Sequence, residues 1–379
     1  MNAPPIRASA SPLHNWNLGE SIRSIQYDEQ ADCLYALGGT SLYRKDAHEQ
    51  DFRKVRTIAA PGRNQQRACY SFCSHGDIVC VTLIGLDAAI VNAAWIGDIN
   101  ATAGGHIETH FSGLMTMFAQ SEHNACFDEH GTLYVASPAT VLYSTDLGRT
   151  WRPHGYINQE LAFAQSAFGV KVQSIKVNYP GRTAAFVGTT SGALCLYEGD
   201  DSFDTIAYVD ATVQSTVNYS YDTKGDYLVS WLYDPTAQPQ TLYTVNMRMF
   251  QAKNDDPEFK LGPGPRVNAP QYAIDPRVTA LAVSSTTSYT GPNFYLAVPA
   301  PAGMVSSDGP AGTDLRQVLF FIGQANQDPG IETGDGFPAY IAPLALNCMH
   351  QHQERLYIGT GTGILEYLES DIMPATPAS

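Results

Sequence analysis

The chain has 379 residues, of which 44% are apolar and 16% charged, and its formal net charge is −15. Nucleic-acid binding needs Lys and Arg in excess, and anionic membrane surfaces attract basic segments, so this composition argues against both kinds of partner. The 32 Gly, 23 Pro and 21 Tyr favour many short strands joined by tight turns.

The N-terminal segment and the cysteines bear on the compartment. MNAPPIRASASPLHNW (1–16) lacks the apolar stretch of a secretory signal, and no run of about 18 apolar residues predicts a membrane-spanning helix. The seven Cys are odd in number, and several lie in apolar strand patterns. We therefore expect free, buried thiols in an intracellular protein, or in a virion protein if a phage encodes it.

A repeated strand–turn–strand pattern runs along the chain. Each clear copy has an apolar-aromatic strand, a turn rich in Gly, Ser, Thr or Pro, a second such strand and an acidic turn. The four clear copies are LYALGGTSLYRKD (34–46), LYVASPATVLYSTD (133–146), AFVGTTSGALCLYEGD (185–200) and LYIGTGTGILEYLESD (356–371). Weaker copies lie at 77–98, 227–245 and 294–323. Seven units spaced about 40–65 residues apart are typical of four-stranded propeller blades.

We therefore predict an all-β fold, a seven-bladed β-propeller of four-stranded antiparallel blades that occupies residues 1–379 as a single domain. The predicted blades are approximately 20–60, 66–100, 115–156, 170–210, 213–252, 276–325 and 340–371. The small residues Ser24, Ser174 and Ala280 suit the innermost strand of a blade. The last unit lacks a fourth strand, so residues 12–19 are expected to supply it and close the ring, with 372–379 as a tail.

A basic stretch follows the first hairpin and consists of Arg53, Lys54, Arg56, Arg63 and Arg67. It is a minor hypothesis for an anion-binding patch. The alternative is a solvated outer strand and loop.

The segment HIETH (106–110) is a weak candidate for a metal site. His106, Glu108 and His110 share one face if the segment is a strand, and two His with one carboxylate can hold a divalent metal. The alternative, which we prefer, is a solvent-facing polar strand or connecting loop, so no metal or other cofactor is expected.

The segment STDLGRTW (144–151) predicts a hydrogen-bonded turn. Asp146 can accept backbone N–H bonds across the turn, Gly148 permits a positive φ, Ser144 and Thr150 add hydroxyl bonds, and Trp151 can pack between sheets. Its spacing resembles the Asp-box, S-x-D-x-G-x-T-W, of the BNR-repeat β-propeller superfamily, which includes sialidases. The resemblance implies a sialidase-like fold in which these five residues join the third and fourth strands of a blade, with a structural role away from the central pocket. Degenerate copies at Asp46, Asp200 and Asp371 keep only the acidic turn.

The catalytic pattern of sialidases is missing from the sequence. Those enzymes hold a substrate carboxylate with clustered arginines and use a Tyr–Glu nucleophilic pair, but the early Arg-Ile-Pro element is absent here. The later arginines are scattered: Arg248, Arg266, Arg277, Arg316 and Arg355. We predict no catalytic residue.

The preferred interpretation of function is a non-enzymatic interaction or assembly scaffold. Its partners would be other proteins of a larger assembly, such as a phage tail or virion. The alternative is a glycan-binding or glycan-hydrolysing propeller with a glycan at the channel mouth. The long insertions 250–275 and 299–340 are candidate binding loops.

Overall fold

The computed structural model describes residues 11–59, 67–86, 92–101, 105–111, 118, 124–155, 158 and 346–372. Between 172 and 341 it describes strands alone, by their backbone. The predicted binding loops 250–275 and 299–340 lie outside the described residues, apart from the strand residues that fall within them.

Strands make up nearly all of the described secondary structure. The first thirteen are β1 (His14–Asn17), β2 (Ile22–Asp28), β3 (Cys33–Gly38), β4 (Ser41–Asp46), β5 (Arg53–Thr57), β6 (Arg67–His75), β7 (Ile78–Gly85), β8 (Ala93–Asp98), β9 (His106–His110), β10 (Ala125–Phe127), β11 (Leu133–Ala136), β12 (Val141–Ser144) and β13 (Arg152–Pro153). The next twelve are β14 (Val172–Tyr179), β15 (Arg182–Thr189), β16 (Gly192–Glu198), β17 (Phe203–Tyr208), β18 (Ser220–Lys224), β19 (Tyr227–Leu232), β20 (Gln240–Asn246), β21 (Arg266–Val267), β22 (Ala280–Ser288), β23 (Gly291–Pro299), β24 (Gln317–Gln324) and β25 (Ala339–Ile341). The last are β26 (Leu346–His352), β27 (Arg355–Thr360), β28 (Gly363–Leu368) and the short helix α1 (Glu369–Ile372).

Within the described part of the chain, these strands form antiparallel sheets of four strands each. Six sheets contain consecutive strands in sequential order: β2–β5, β6–β9, β10–β13, β14–β17, β18–β21 and β22–β25. A further sheet has the order β1–β28–β27–β26, so the N-terminal strand pairs with the last strand of the chain. Its register runs from His14 opposite Glu366 to Asn17 opposite Gly363.

The chain divides into two compact units. In the first unit, residues 22–211, the first strands of consecutive sheets pack together: β2 on β6, β6 on β10 and β10 on β14. The second unit comprises residues 1–21 and 212–379, and in it β18 packs on β22 and β22 on β26. Ser24 of β2 is buried, as expected for a small residue of a first strand.

Apolar side chains fill the space between the sheets of the first unit. Tyr35 and Leu37 of sheet β2–β5 pack in one cluster with Phe72 and Val81 of sheet β6–β9. Neighbouring β7 residues point the other way, and Cys80 packs towards sheet β10–β13. Sheet β6–β9 is thus covered on both faces, which explains the nearly continuous apolar sequence of β7. Burying each large side chain stabilises the fold by about 1.5–3 kcal/mol.

In three of the sheets, the fourth strand begins beyond the end of the blade predicted from the sequence. Strand β9 follows the boundary at residue 100, β21 follows 252 and β25 follows 325. Two of them have only two or three residues and come after long links, and β9 is polar. None therefore shows the apolar alternation on which the boundaries were based.

Two further properties concern the helices and the thiols. No helix in the described part of the chain has the length and apolar character needed to cross a membrane. The described cysteines are all free and buried, namely Cys33, Cys69, Cys73, Cys80, Cys126 and Cys348.

Candidate functional site

The turn from Ser144 to Trp151, here called the box turn, connects β12 to β13 and is closed by its own side chains. Asp146 accepts hydrogen bonds from the Thr150 amide at 2.8 Å and the Thr150 hydroxyl at 2.6 Å. The Ser144 hydroxyl donates to Asp146 and accepts from the Gly148 amide at 2.7 Å. These bonds, above all those from Thr150, lower the pKa of Asp146 to about 2. The carboxylate therefore stays ionised and committed to the turn.

The box turn also packs on the preceding sheet. Thr109 of β9 donates a hydrogen bond to the Gly148 carbonyl at 2.7 Å. Gly148 has a φ of +82°, and a Cβ at this position would lie 2.2 Å from Cδ1 of Ile96. The Trp151 ring meets Phe111 edge to face, with centroids 5.2 Å apart. The turn thus fastens sheet β10–β13 to sheet β6–β9.

The acidic residues compared with Asp146 have other environments. Asp46, at the end of β4, pairs with Arg44 and with Arg53 rather than with turn hydroxyls. Asp371 lies in α1, and Asp200 is outside the described residues. Only the acidic character of these positions follows the sequence pattern.

The basic stretch makes contacts within the fold. Arg53 pairs with Asp46 and Glu49, and the Lys54 ammonium lies over the Tyr43 ring. The Arg56 guanidinium donates to three carbonyls at the end of β8 and just after it, at distances down to 2.6 Å. Arg63 is outside the described residues. An incoming anion would have to compete with these contacts.

The HIETH segment is the edge strand β9, with alternating exposure. Its side chains contact neighbouring groups: His106 stacks on Trp95, while Arg67 donates to Glu108 at 2.7 Å and to His110 at 3.0 Å. A metal ion at this face would have to displace the Arg67 guanidinium. Among the described residues, no group of three His, Cys, Asp or Glu side chains is placed to hold a metal ion.

Two buried carboxylates stabilise the turns that follow the first strands of sheets β2–β5 and β10–β13. The sequence interpretation overlooked both of them. Asp28 accepts the amides of Gln30 and Ala31, and also that of Gly76 in the next sheet. Asp128 accepts the amides of His130 and Thr132. The signal was present in the sequence, since YDE (27–29) and FDE (127–129) stand before corresponding LY pairs.

A third buried carboxylate, Glu366 of β28, attaches strand β1. Its side chain is 1% exposed and accepts hydrogen bonds from His14 of β1 and Arg355 of β27, each at 2.5 Å. Burial alone would raise the pKa of Glu366, but the bonds from Arg355 and His14 outweigh it, and the pKa is lowered. Trp16 adds an apolar anchor, stacking on His14 and Tyr357. Arg355 is thus committed to this cluster, which we call the β1 clasp.

Comparisons with known proteins identify the fold. No protein-family model matches the chain, and no curated protein matches its sequence. The structure is similar to that described as YCF48 bound to D1 peptide, with a TM-score of 0.55, 11% identity and full coverage of both chains. It is also similar to a chain of a mitotic checkpoint complex, with a TM-score of 0.54 and 9% identity, covering 97% of this chain and 96% of the other.

Both of these structures are β-propellers. The chain has a β-propeller fold. Identities this low show the fold alone, and function must be argued from the residues.

Proposed function

We propose that this β-propeller is a non-enzymatic interaction scaffold that assembles other proteins. The observation that carries the proposal is the separation of charge in the first unit. Antiparallel order places the links between first and second strands, and between third and fourth strands, at one end of each sheet. The bond from Gly76 to Asp28 and the 3.3 Å contact between Gln30 and His75 bring such links of neighbouring sheets together.

That end of sheets β2–β5, β6–β9 and β10–β13 is strongly acidic. The acidic residues of its links and flanking strand ends are Asp28, Glu29, Asp32, Asp46, Glu49, Asp51, Asp77, Asp98, Asp128, Glu129 and Asp146. The Lys and Arg residues there are fewer, namely Arg44, which pairs with Asp46 and Asp77, and Lys45, Arg53, Arg149 and Arg152. At the opposite end, the described link residues carry no charge, and the flanking strand ends add one charged residue, Arg67, which pairs with Glu108. Those described link residues are 39–40, 58–59, 86, 92, 111, 118, 124 and 137–140. Two surfaces of such different character suit two different protein partners.

The proposal extends to the number of blades and to the kind of assembly in which the protein works. We propose one domain of seven blades whose ring is closed by β1, which is supported by the β1–β28 pairing and the β1 clasp. We also propose that the scaffold belongs to a large assembly such as a phage tail or virion, or works in another intracellular complex. The neighbours agree with protein partners, since one is described with a bound peptide and the other belongs to a complex.

Native purification tests the scaffold proposal. Tagged protein from its source is purified at low salt and studied by mass spectrometry and electron microscopy, and a stoichiometric complex is expected. A double variant, Glu29→Gln with Glu129→Gln, should weaken the binding of a cationic partner, because both residues are exposed at the acidic end. The matched control at the opposite end is Ala139→Gln, which changes an exposed residue of an uncharged link. A monomer without any stable partner would contradict the proposal.

The glycan alternative has one local observation in its favour. The rings of Tyr134, Tyr143 and His154 lie within 6.2 Å of one another, and aromatic surfaces of this kind can stack on sugars. A glycan array tests it, with Tyr143→Ala as the matched variant. A sugar that binds to the wild type but not to Tyr143→Ala would favour the glycan-binding alternative.

A further inference from the structure

The first strands of three sheets in the first unit contain a bulge at the same position. The bulges interrupt β2, β6 and β14 near their starts, and in each of them one extra residue precedes a serine that pairs with the second strand. The extra residues are Arg23, Tyr70 and Gln173. A bulge redirects side chains out of the regular alternation, and bulges are frequent beside functional sites. The repeated bulge therefore places a residue with a hydrogen-bond donor at the same position of each strand.

Two hydrogen bonds bring the Arg23 and Tyr70 bulges side by side. The amide of the residue before Tyr70 donates to the Gly39 carbonyl at 3.0 Å. Gly39 directly follows the last residue of β3, which pairs with β2 next to Arg23. Two residues beyond Tyr70, the Phe72 carbonyl accepts a hydrogen bond from Gln26 of β2 at 2.8 Å. The two bulges therefore lie at the same height on neighbouring first strands.

Arg23 differs from the other partly buried arginines in having no partner. Its Nε is buried without an acceptor, and within the described residues its side chain has neither an ion pair nor a hydrogen bond. The other partly buried arginines in that part of the chain each bond to a carboxylate or a carbonyl; they are Arg44, Arg56, Arg67 and Arg355. A charge held partly out of water destabilises the fold when it stays unpaired. An external acceptor would remove this cost.

The surroundings of Arg23 favour an acceptor with a single negative charge. Arg23 lies near the start of β2, at the end of the sheets where the described links of the first unit carry no charge. Arg67, at the start of β6, is already paired with Glu108. The site thus offers one unpaired guanidinium beside the phenol of Tyr70, which is partly exposed. One planar guanidinium matches the charge and the two oxygens of a carboxylate, whereas a phosphate would call for further cations.

We propose that Arg23 and Tyr70 bind a carboxylate of a protein partner. The guanidinium would hold both carboxylate oxygens, and the Tyr70 hydroxyl would donate a further hydrogen bond. The inference rests on the proposed scaffold function and adds a binding site to it. The end with uncharged links would take a partner that presents an acid, while the acidic end takes a cationic one.

Peptide retention on the immobilised protein tests the proposal. Three mixtures of acetylated hexapeptides are compared: random uncharged sequences with a free C-terminal carboxylate, the same sequences amidated, and amidated sequences with one internal Glu. N-acetylneuraminic acid is tested separately, as the carboxylate of a sugar. We expect the protein to retain peptides that carry a carboxylate and to release the uncharged amidated mixture. The first and third mixtures distinguish a chain end from an acidic side chain as the source of the carboxylate.

The Kd of the most strongly retained peptide is then measured for the wild type and for three variants. Arg23→Gln should increase Kd at least tenfold and Tyr70→Phe about threefold, because they remove a charged and a neutral hydrogen-bond donor. Arg149→Gln removes an exposed arginine at the acidic end and should leave Kd unchanged. Wild-type affinity in Arg23→Gln, or equal retention of the uncharged amidated mixture, would overturn the site.

Melting temperatures test whether the Arg23 guanidinium has a structural role instead. Arg23→Gln should melt at or above the wild-type temperature, because it removes an unpaired charge that is partly out of water. Arg355→Gln should melt at a lower temperature, because it leaves Glu366 buried without its arginine. A fall in Arg23→Gln as large as in Arg355→Gln would show that the guanidinium has a partner within the chain and would overturn the proposal.

The failure of this site can be distinguished from the failure of the scaffold function. A stoichiometric complex in native purification that Arg23→Gln leaves intact, with no carboxylate peptide retained, would overturn the site and leave the scaffold function in place. A monomer without partners that also retains no peptide would overturn both. Binding of N-acetylneuraminic acid without any peptide would overturn the protein carboxylate and favour the glycan alternative.

Discussion

The box turn and the β1 clasp each use one carboxylate to hold a short edge strand, but they satisfy it differently. Asp146 binds groups within four residues of itself in the sequence, namely hydroxyls and amides of its own turn. Glu366 binds Arg355 and a histidine 352 residues away. Asp146 is solvent-accessible and bound by uncharged donors nearby in the sequence. Glu366 is buried and bound by ionic donors, one of them distant in the sequence. The role of a carboxylate can therefore be predicted from the sequence when its partners are sequence neighbours, and is difficult to predict when they are distant.

The largest expected effect tests whether the box turn depends on close packing. Gly148→Ala should destabilise the fold by about 3 kcal/mol, because it adds left-handed strain to an overlap with Ile96. Gly131→Ala is the control, since Gly131 has a similar φ of +78° but its added Cβ would lie 3.4 Å from His75. That variant should lose about 1 kcal/mol. Equal losses in urea unfolding would contradict the packing role of Gly148.

The next largest effect is expected for Glu366, the buried carboxylate of the β1 clasp. Glu366→Gln should destabilise the protein by about 2 kcal/mol, less than for a fully buried ion pair because Arg355 is 40% and His14 47% exposed. The control Glu354→Gln changes an exposed residue and should stay within about 0.5 kcal/mol. A loss no larger than in the control would show that the β1 clasp adds little stability.

The pH dependence of unfolding also tests the stabilising role of Glu366. The pKa of Glu366 in the folded protein lies below its ordinary value of 4.5, so the unfolded chain binds the proton more readily. Its stabilising contribution is therefore present above pH 4.5 and is lost as the pH falls through the folded value. Urea unfolding between pH 6 and pH 3 should show a steeper loss in the wild type than in Glu366→Gln. Parallel curves would argue against an ionised Glu366.

The comparison also explains what could be predicted from the sequence. The strand–turn–strand pattern predicted the four-stranded units, and the spacing from Ser144 to Trp151 predicted the bonds of Asp146 and the positive φ of Gly148. Both signals involve neighbours in the sequence. Residues 12–19 were expected to pair with the last unit, but the Glu366–His14 bond itself could not be predicted, because neither local sequence indicates the register that places these two residues opposite each other. The exposed Leu147, which has a φ of +56°, was missed because its position in the motif accepts any residue.

A smaller effect tests the local carboxylate. Thr150→Val removes a hydroxyl donor, so the pKa of Asp146 should rise from about 2 towards its ordinary value of 3.8. Because that pKa is lowered by folding, the stabilisation from Asp146 is present above about pH 4 and is lost on acidification towards pH 2. An NMR titration of the Asp146 carboxyl in the wild type and in Thr150→Val measures the difference. An unchanged titration would mean that the Thr150 hydroxyl does not stabilise the ionised form.

The smallest effect is a gain in stability, at a turn that lacks the glycine present in the box turn. His352 pairs with Arg355, so Gln353 and Glu354 form a two-residue hairpin loop, and both have positive φ, at 48° and 59°. Asn-Gly is the sequence that such loops prefer, so Gln353→Asn combined with Glu354→Gly should stabilise the protein by about 1 kcal/mol. The Glu354 carbonyl that accepts the Glu369 amide is retained. Because no side-chain contact is added, a rise in melting temperature would isolate the cost of the left-handed backbone, the same cost that Leu147 bears at the box turn without glycine to relieve it.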